Sequence, residues 1–409
     1  MTHDEPIEHR HVRRHNLSLV LRLVSANGPW SRASIAGVTG LTRATVSSLV
    51  AELIERGLVH ELGLETGQRV GRPATLIELD GSQVVTLGVE LNVGYTVVLA
   101  NDLAGTTVYE RRRPLGVTSI DVDDLVSVLV NEISRATDAV EAAGRTVAGI
   151  GVAVPGIIEV ETGSVVFAPN LMWRGVPLQD RLVAELGALC PVTVENEANM
   201  GAVAEHRVGV AAGAGHLVYV LAANGVGSGV ILNGALFRGA SGAAGEIGHT
   251  TVDPDGALCS CGSRGCWETK VSLGALLTAT VPDLAAGLLD DRRVGPEAKV
   301  AMVVSRARAA DPVARRGLSE FGHWVGIGLA NVVDAFNPQV IVLSGLLPAL
   351  APWTTSAMDV ALRDHSLRES LSACRVVMST LGFSAAALGC TFQASERLFA
   401  DPTLVGRRR

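Results

Sequence analysis

Three cysteines and one histidine within eighteen residues constrain the folding of this chain more than any other feature. The cysteines have the spacing Cys-x-Cys-x4-Cys, and the histidine precedes the first of them by ten residues. Three thiolates and an imidazole form a set that suits a tetrahedral structural zinc ion, and the two glycines of the loop let it fold tightly. The alternative is a group of reduced cysteines in a glycine-rich loop. We predict zinc, and the ligands would be His249, Cys259, Cys261 and Cys266.

Charge is distributed unevenly along the 409 residues. Residues 10–60 carry seven arginines and two acidic residues, a local balance of +5, whereas the net charge of the whole chain is −7. A small basic module on an acidic body is typical of a DNA-binding head attached to a ligand-binding domain. We therefore predict a head at residues 1–80 and a body at residues 81–409.

Three short helices are predicted in the head. The first covers Val12 to about Ala26. Ser31 is expected to cap the second, which would bury Ile35 and Val38, and Thr42 is expected to cap the third. The third helix has an apolar stripe at helical spacing. The stripe consists of Val46, Leu49, Val50, Leu53 and Ile54.

The opposite face of the third helix is polar and basic near its start. Two helices joined by a glycine-containing turn, with such a face on the second, are typical of a helix-turn-helix. The strands 58–62 and 75–79 would then form a wing with arginines near its tip, suited to a narrow minor groove. The alternative is a three-helix bundle with a solvated arginine face. The candidate DNA contacts are Ser31, Arg32, Thr42, Arg43, Thr45, Ser47, Ser48, Arg69 and Arg72.

Strands and helices alternate in the body. Paired strands are expected at 84–91 and 95–101, and the strand 147–154 ends at a Pro-Gly pair. The pattern restarts after Pro191 and continues to a late helix at 318–336 and a strand at 340–343. This alternation predicts an α/β protein with two lobes and a cleft between them.

One segment closely resembles a known family. Gly245-Glu-Ile-Gly-His249, followed by the cysteine loop and Trp267-Glu268, resembles the ROK family (repressor, open reading frame, kinase) in its regulator branch. The resemblance extends from Arg10 to about Leu398. It implies a winged helix-turn-helix head and a two-lobed body with the actin-like, ribonuclease-H-like fold of sugar kinases. Lobe one would cover about 81–194 plus the C-terminal segment, and lobe two about 195–384.

The same resemblance implies a sugar pocket. A sugar presents several hydroxyls at once, and carboxylates, amides and an imidazole can each pair with one or two of them. Zinc on one nitrogen of His249 would leave the other nitrogen free to meet a hydroxyl. Taken singly, each acid is more often a solvated surface group. The expected sugar contacts are Asn170, Asn196, Glu197, Glu246, His249 and Glu268.

The chain departs from the kinases of the family at each nucleotide loop. Where those kinases carry Asp-Ile-Gly-Gly-Thr-Lys, residues 90–95 read Glu-Leu-Asn-Val-Gly-Tyr. The second phosphate loop reads Ala-Asn-Gly-Val-Gly at 223–227, and the adenosine-side glycines read Ser-Gly-Leu at 344–346. Glu197 replaces the catalytic aspartate, and an added methylene displaces a base enough to slow a reaction about 100-fold. The expectation is a body that senses a sugar without phosphorylating it.

The sequence thus predicts a sugar-responsive transcriptional regulator, most simply a repressor relieved by a monosaccharide. Its expected partners are operator DNA, a monosaccharide effector and further copies of itself in a homodimer or homotetramer. No apolar run is long enough to span a membrane. Clustered cysteines in a chain without an export signal favour metal binding over disulfides, so the expected location is the cytoplasm. An active ATP-dependent sugar kinase with an appended DNA-binding domain is the alternative. A pure interaction scaffold would leave the sugar motif unexplained.

Overall fold

A computed structural model describes residues 9–64, 75–115, 121–187, 190–291 and 294–407 of the chain. Its N-terminal head contains three helices and a three-stranded antiparallel sheet in the order β1-β3-β2. The elements of the head are α1 (His9–Asn27), β1 (Trp30–Ser31), α2 (Arg32–Thr39), α3 (Arg43–Glu55), β2 (Val59–Leu64) and β3 (Thr75–Leu79).

Side-chain caps set where α2 and α3 begin, and both caps agree with the sequence prediction. The Ser31 hydroxyl accepts a hydrogen bond from the backbone N–H of Ser34 at 3.1 Å, and the Thr42 hydroxyl accepts one from Thr45 at 3.1 Å. These bonds satisfy amides that have no partner within the helix. Between the helices, Gly40 has a φ of +72°, which glycine adopts without strain. The two helices therefore meet through a tight turn.

Two apolar side chains that the sequence predicts to be buried in the head are exposed. Val38 is 61% exposed because α2 ends at the next residue and the chain then turns away. Ile54 is 36% exposed because the last turn of α3 places Glu52 in the interior instead. Ile35 and the other four apolar positions of the predicted α3 stripe are buried, as predicted.

The predicted wing hairpin is present, with β2 and β3 antiparallel and Val59 opposite Leu79. Strand β1 adds Trp30 and Ser31 to the other edge of β3. Two residues are too few to show an alternating pattern, so the sequence gives no sign of this strand. The predicted arginines at the wing tip, Arg69 and Arg72, lie outside the described residues.

The body contains two five-stranded mixed sheets, the first in the order β11-β7-β4-β5-β6. Three antiparallel strands, β4 to β6, are followed by β7 and β11, which pair in parallel on the other side of β4. A small sheet of β8, β9 and β10 follows β7. The elements of this region are β4 (Val84–Leu91), β5 (Tyr95–Asp102), β6 (Thr107–Pro114), α4 (Val122–Ala142), β7 (Thr146–Val154), β8 (Ile157–Glu159), β9 (Ser164–Ala168), β10 (Trp173–Val176), α5 (Leu178–Leu186) and β11 (Val192–Asn196).

The second sheet repeats this order with β14-β13-β12-β15-β16. Again three antiparallel strands are followed by two parallel ones. None of the helices in the described ranges is long and apolar enough to cross a membrane. The elements are α6 (Glu197–Arg207), β12 (His216–Ala222), β13 (Val226–Leu232), β14 (Ala235–Leu236), α7 (Glu268–Val271), α8 (Leu273–Thr280), α9 (Pro282–Asp290), α10 (Pro296–Arg308), α11 (Pro312–Phe336), β15 (Val340–Gly345), α12 (Leu347–His365), α13 (Arg368–Ser372), β16 (Arg375–Met378) and α14 (Ala385–Ala400).

Helices α6 and α14 form the layer between the two sheets. Helix α14 packs on β4 and β7 of the first sheet, α6 packs on β12 and β13 of the second, and the two helices pack on each other. Glycines make these contacts close. A Cβ on Gly389 of α14 would lie 1.9 Å from the carbonyl oxygen of Met200 in α6, and a Cβ on Gly88 of β4 would lie 1.8 Å from that of Ala387. The backbones therefore touch directly.

The apolar core of the head is continuous with the body. Leu17 and Leu21 of α1 are fully buried in a cluster that also contains Val84 of the first sheet. Leu398 at the end of α14 and Val405 beyond it belong to the same cluster. The head is thus packed against the body through α1 and the C-terminal residues.

Replacing Gly389 with alanine should destabilise the protein, because the new methyl group has no space against the backbone of α6. We expect a loss of about 1–3 kcal/mol in the free energy of unfolding, the usual effect of overpacking. Urea unfolding measures this change.

The matched control is Gly287→Ala in α9, where a Cβ would meet nothing within 4 Å. There alanine should be neutral or stabilise by up to about 1 kcal/mol, because it favours a helix over glycine. Equal effects of the two substitutions would contradict the close contact of α6 and α14.

Candidate functional site

A cavity of about 170 Å³ lies where the two sheets approach each other. Its walls come from the β4–β5 turn, the segment after β7, the start of α6 and the β12–β13 turn. The structure brings all six predicted sugar-site residues to this one cavity, although they are spread over a hundred positions of the chain. The six are Asn170, Asn196, Glu197, Glu246, His249 and Glu268.

Asn196 holds the first turn of α6 at the cavity wall. Its side-chain oxygen accepts hydrogen bonds from the N–H groups of Ala198 at 2.8 Å and Asn199 at 3.0 Å. Its amide nitrogen donates to the carbonyl of Gly156 at 2.9 Å and to Glu197 at 3.2 Å. Asn196 therefore caps α6 and ties it to the loop after β7, so its amide oxygen is already engaged.

Glu197 is a poorly solvated acid at the start of α6. Burial raises its pKa to about 8, the helix-terminal backbone N–H lowers it, and the nearby carboxylates of Glu90 and Glu246 raise it further. Burial likewise raises the pKa of Glu246. At neutral pH, Glu197 thus holds its proton and can donate a hydrogen bond to an acceptor in the cavity.

Glu90 is a second buried acid, at a position where the sequence indicates only a departure from the kinase motif. It is 2% exposed at the end of β4. The Tyr95 hydroxyl donates to its carboxylate at 2.8 Å, and the Asn92 amide donates at 3.4 Å. Burial raises its pKa to about 7 despite these hydrogen bonds. An acid at the end of an otherwise apolar strand was the available signal for it.

The four predicted metal ligands converge, with all their donor atoms within 4.8 Å of one another. The sulfurs of Cys261 and Cys266 are 3.7 Å apart, and the Cys259 sulfur is 3.6 Å from Nδ1 of His249. Zn–S bonds of about 2.3 Å at tetrahedral angles place two sulfurs about 3.8 Å apart. The donor set and its spacing therefore fit a tetrahedral metal ion.

The metal-ligand cluster and the cavity share His249. Its Nδ1 faces the cysteines, and its Nε2 lies 3.9 Å from a carboxylate oxygen of Glu246. Both residues line the cavity. A metal ion on Nδ1 would fix the ring and leave the Nε2 hydrogen directed toward the cavity and Glu246.

Glu268 links the cysteine loop to the β12–β13 turn. One carboxylate oxygen accepts a hydrogen bond from the backbone N–H of Val226 at 3.0 Å, and the other accepts one from Ser260 at 3.4 Å. A Cβ on Gly225 would lie 2.2 Å from that first oxygen, so a larger residue here would have to move the Glu268 carboxylate. The sequence pattern does not reveal the Val226 contact.

Trp267 anchors the loop between the last cysteine and Glu268. It is 1% exposed, and its indole N–H donates to the carbonyl of Trp324 at 2.8 Å. A Cβ on Gly328 of α11 would lie 1.9 Å from the indole ring, so glycine there makes room for it. The buried tryptophan holds a metal ligand on one side and a cavity carboxylate on the other.

The predicted DNA contacts are not equally available in the head. The hydroxyls of Ser31 and Thr42 serve as helix caps. Arg32 pairs with Glu61 at 2.6 Å. Arg43, Ser47 and Ser48 are exposed on α3, and Thr45 is half-buried. Ser48 also accepts a hydrogen bond from an arginine of α1 at 3.2 Å.

Sequence comparison relates the chain to known proteins over most of its length. The family model described as the ROK family matches residues 86–397. The xylose repressor of Bacillus subtilis (strain 168) is 32% identical over 378 residues, which cover 92% of this chain and 94% of that protein.

Two solved structures resemble the fold. The crystal structure of a ROK family transcriptional regulator, a homolog of the E. coli MLC protein, has a TM-score of 0.78 at 25% identity and covers 95% of this chain and 97% of that one. A ROK family glucokinase from Streptomyces griseus, in complex with glucose and AMPPNP, has a TM-score of 0.65 at 29% identity. It covers 76% of this chain and 99% of the kinase.

These similarities confirm the predicted fold class: an α/β body of the two-lobed sugar-kinase type, preceded by a head of three helices and a hairpin. The matched family model spans most of the body, and the repressor matches the head as well. The chain belongs to the ROK family.

Replacing Cys261 with serine should remove the bound metal, because the cluster would lose one of four ligands. Plasma mass spectrometry of the purified full-length chain should find one metal ion per wild-type chain and much less in the variant. The melting temperature should fall as well, since metal binding stabilises the folded loop.

Cys374→Ser is the matched control, because Cys374 is half-buried and does not belong to the metal-ligand cluster. This variant should keep its metal. A wild-type chain without metal under reducing conditions would contradict the assignment of the cluster.

Glu197 should make the protein less stable as the pH rises. Its pKa of about 8 in the folded state lies above the usual 4.5, so between these values the folded chain holds a proton that the unfolded chain has lost. Its contribution to stability is therefore complete below pH 4.5 and is lost as the pH rises through about 8.

Glu197→Gln should consequently gain stability relative to the wild type as the pH rises across this range. Urea unfolding at a series of pH values measures the difference. The exposed Glu185→Gln in α5 is the control and should show no such trend. A constant difference for Glu197→Gln at every pH would show that burial does not shift its pKa.

Proposed function

We propose that this protein is a sugar-responsive transcriptional regulator, a repressor of carbohydrate-metabolism genes that a monosaccharide releases from DNA. The observation that carries the proposal is the meeting of all six predicted sugar contacts in one cavity of a body packed against a helix–turn–helix head. The similarity to a xylose repressor over 92% of the chain supports the same conclusion.

The head would bind operator DNA as a winged helix-turn-helix, within a domain of about residues 1–80. Helix α3 follows a tight turn and presents Arg43 and Ser47 to solvent, as a recognition helix requires. Arginine can make a bidentate contact to guanine, and short hydroxyl side chains allow close approach to phosphates. Two heads in a homodimer would read a palindromic operator in the cytoplasm.

The body, about residues 81–409, would bind the monosaccharide. Asn170, Glu246 and the Nε2 side of His249 line the cavity with donors and acceptors suited to adjacent hydroxyls. Protonated Glu197 would donate a hydrogen bond to a ring or hydroxyl oxygen. The named xylose repressor makes a pentose such as xylose the first effector to test.

Zinc is the metal that we propose for the cluster of His249, Cys259, Cys261 and Cys266. Bound there, it would supply structural cross-linking of the loop and no reactive position, because all four ligands come from the protein. The chain's own contribution is the orientation of His249 and Glu268 at the cavity wall.

A body that senses without phosphorylating is supported by contacts on the nucleotide side of the cleft. The β4–β5 turn has no lysine. Arg112 stacks on the rings of Tyr95 and Phe383 at 4.6 and 4.9 Å and forms an ion pair with Glu297. These contacts join the two lobes beside the turn that carries Thr-Lys in the kinases.

Sugar response and DNA binding would depend on different residues, and two substitutions test this. Arg43→Ala should weaken specific DNA binding by about 1–3 kcal/mol while sugar binding persists. Glu246→Ala should abolish the sugar response while DNA binding persists. Gel-shift assays on a DNA site selected from a random library, with and without D-xylose and other monosaccharides, measure both effects.

The rival function is an active sugar kinase with an appended head. Its signature would be ATP consumption in the presence of a monosaccharide at an enzyme-like turnover above about 1 per second. Formation of sugar phosphate at such a rate would replace the proposed function with the rival. If Arg43→Ala lost its sugar response because it no longer bound sugar, the two sites would not be separate.

A further inference from the structure

Helix α6 and the carboxylate of Glu396 in α14 connect the cavity to the head. Helix α6 begins at the cavity with Glu197 and ends at Arg207. There Arg207 pairs at 3.2 Å with Glu396 of α14. The other oxygen of Glu396 pairs with Arg22 of α1 in the head. A single carboxylate therefore contacts cations from the sugar-binding body and from the head.

This junction is not packed solid. A cavity of about 470 Å³ is lined by residues of α1, α6 and α14, among them Arg22, Arg207 and Glu396. Each of these side chains is about half exposed, which allows the ion pairs to break and form again. By contrast, α6 and α14 touch through backbone at Gly389, so a shift of α6 must move α14.

Beyond α14, the C-terminal residues reach α3 itself. Arg407 pairs with the buried carboxylate of Glu52 at 3.0 Å and with Glu55 at 3.3 Å. Arg56 pairs with Glu52 at 2.7 Å and donates to the carbonyl of Val405. The residues that follow α14 thus contact the last turn of α3 in the head.

We propose that α6, α14 and the C-terminal residues 401–407 transmit sugar occupancy to α3, with Glu396 as the positioning residue at the junction. The inference rests on the proposed function and specifies how the same cavity regulates the head. A sugar that contacts Glu197 and the capped turn of α6 would displace α6, and α14 with it, relative to α1 of the head. The change in the contact between Glu396 and Arg22 would then reorient α1 and α3 relative to the body.

The test compares Glu396→Gln with the control Glu320→Gln, an exposed glutamate of α11. Three quantities are measured on the full chain: the Kd for D-xylose, or for D-glucose if xylose does not bind, the Kd for the library-selected DNA without sugar, and that Kd at saturating sugar. For Glu396→Gln we expect the two single-ligand constants to stay within about twofold. The ratio of the DNA constants should fall by roughly 3-fold or more, within the range found for residues that modulate coupling. The control should match the wild type.

Arg22→Gln should reproduce the loss, and the double variant should lose no more than either single variant, because both remove the same contact. Additive losses, or an unchanged ratio in Glu396→Gln, would overturn the proposal. Failure of the proposed function looks different, since the wild type itself would then bind no sugar or show a ratio of one.

Discussion

The direct contact between α6 and α14 is the constraint on which the rest of the structure depends. These helices fill the layer between two sheets of the same strand order, and Gly389 places the backbone of α14 directly against that of α6. Because α6 starts at the cavity and α14 leads to the head, this close contact sets both the shape of the site and the position of the head. Helices whose backbones touch move together, because a close-packed interior has no free volume to take up the displacement of one of them.

Acids with a raised pKa lie in and beside the cavity. Glu90, Glu197 and Glu246 lie near one another, and burial raises the pKa of each. Glu197, kept neutral at pH 7 in this way, can donate as well as accept hydrogen bonds, which suits a ligand made of hydroxyl groups. Because burial keeps Glu197 protonated at neutral pH, its side chain is poorly suited to act as a general base. Its chemistry thus agrees with recognition better than with proton abstraction.

The cysteine loop and the cavity form one structural unit. The metal-ligand cluster orients His249, and buried Trp267 fixes the step from Cys266 to Glu268, whose carboxylate then holds the β12–β13 turn. A metal ion held by this cluster would stiffen the cavity wall without occupying the cavity. His249 belongs to both the predicted metal-ligand cluster and the wall of the cavity.

The sequence by itself determined the features that depend on local spacing. The helix caps at Ser31 and Thr42, the main strands of the body and the set of metal ligands all follow from residues close together in the chain. That the six cavity residues lie together could be predicted from the sequence only because the chain resembles a known family. Tertiary structure alone decided the rest. Val38 and Ile54 are exposed, and Glu52 is buried, because packing depends on which distant groups cover a helix. Arginines from α1 and the C-terminal residues surround Glu52, and contacts across hundreds of positions leave no periodic signal in a single sequence.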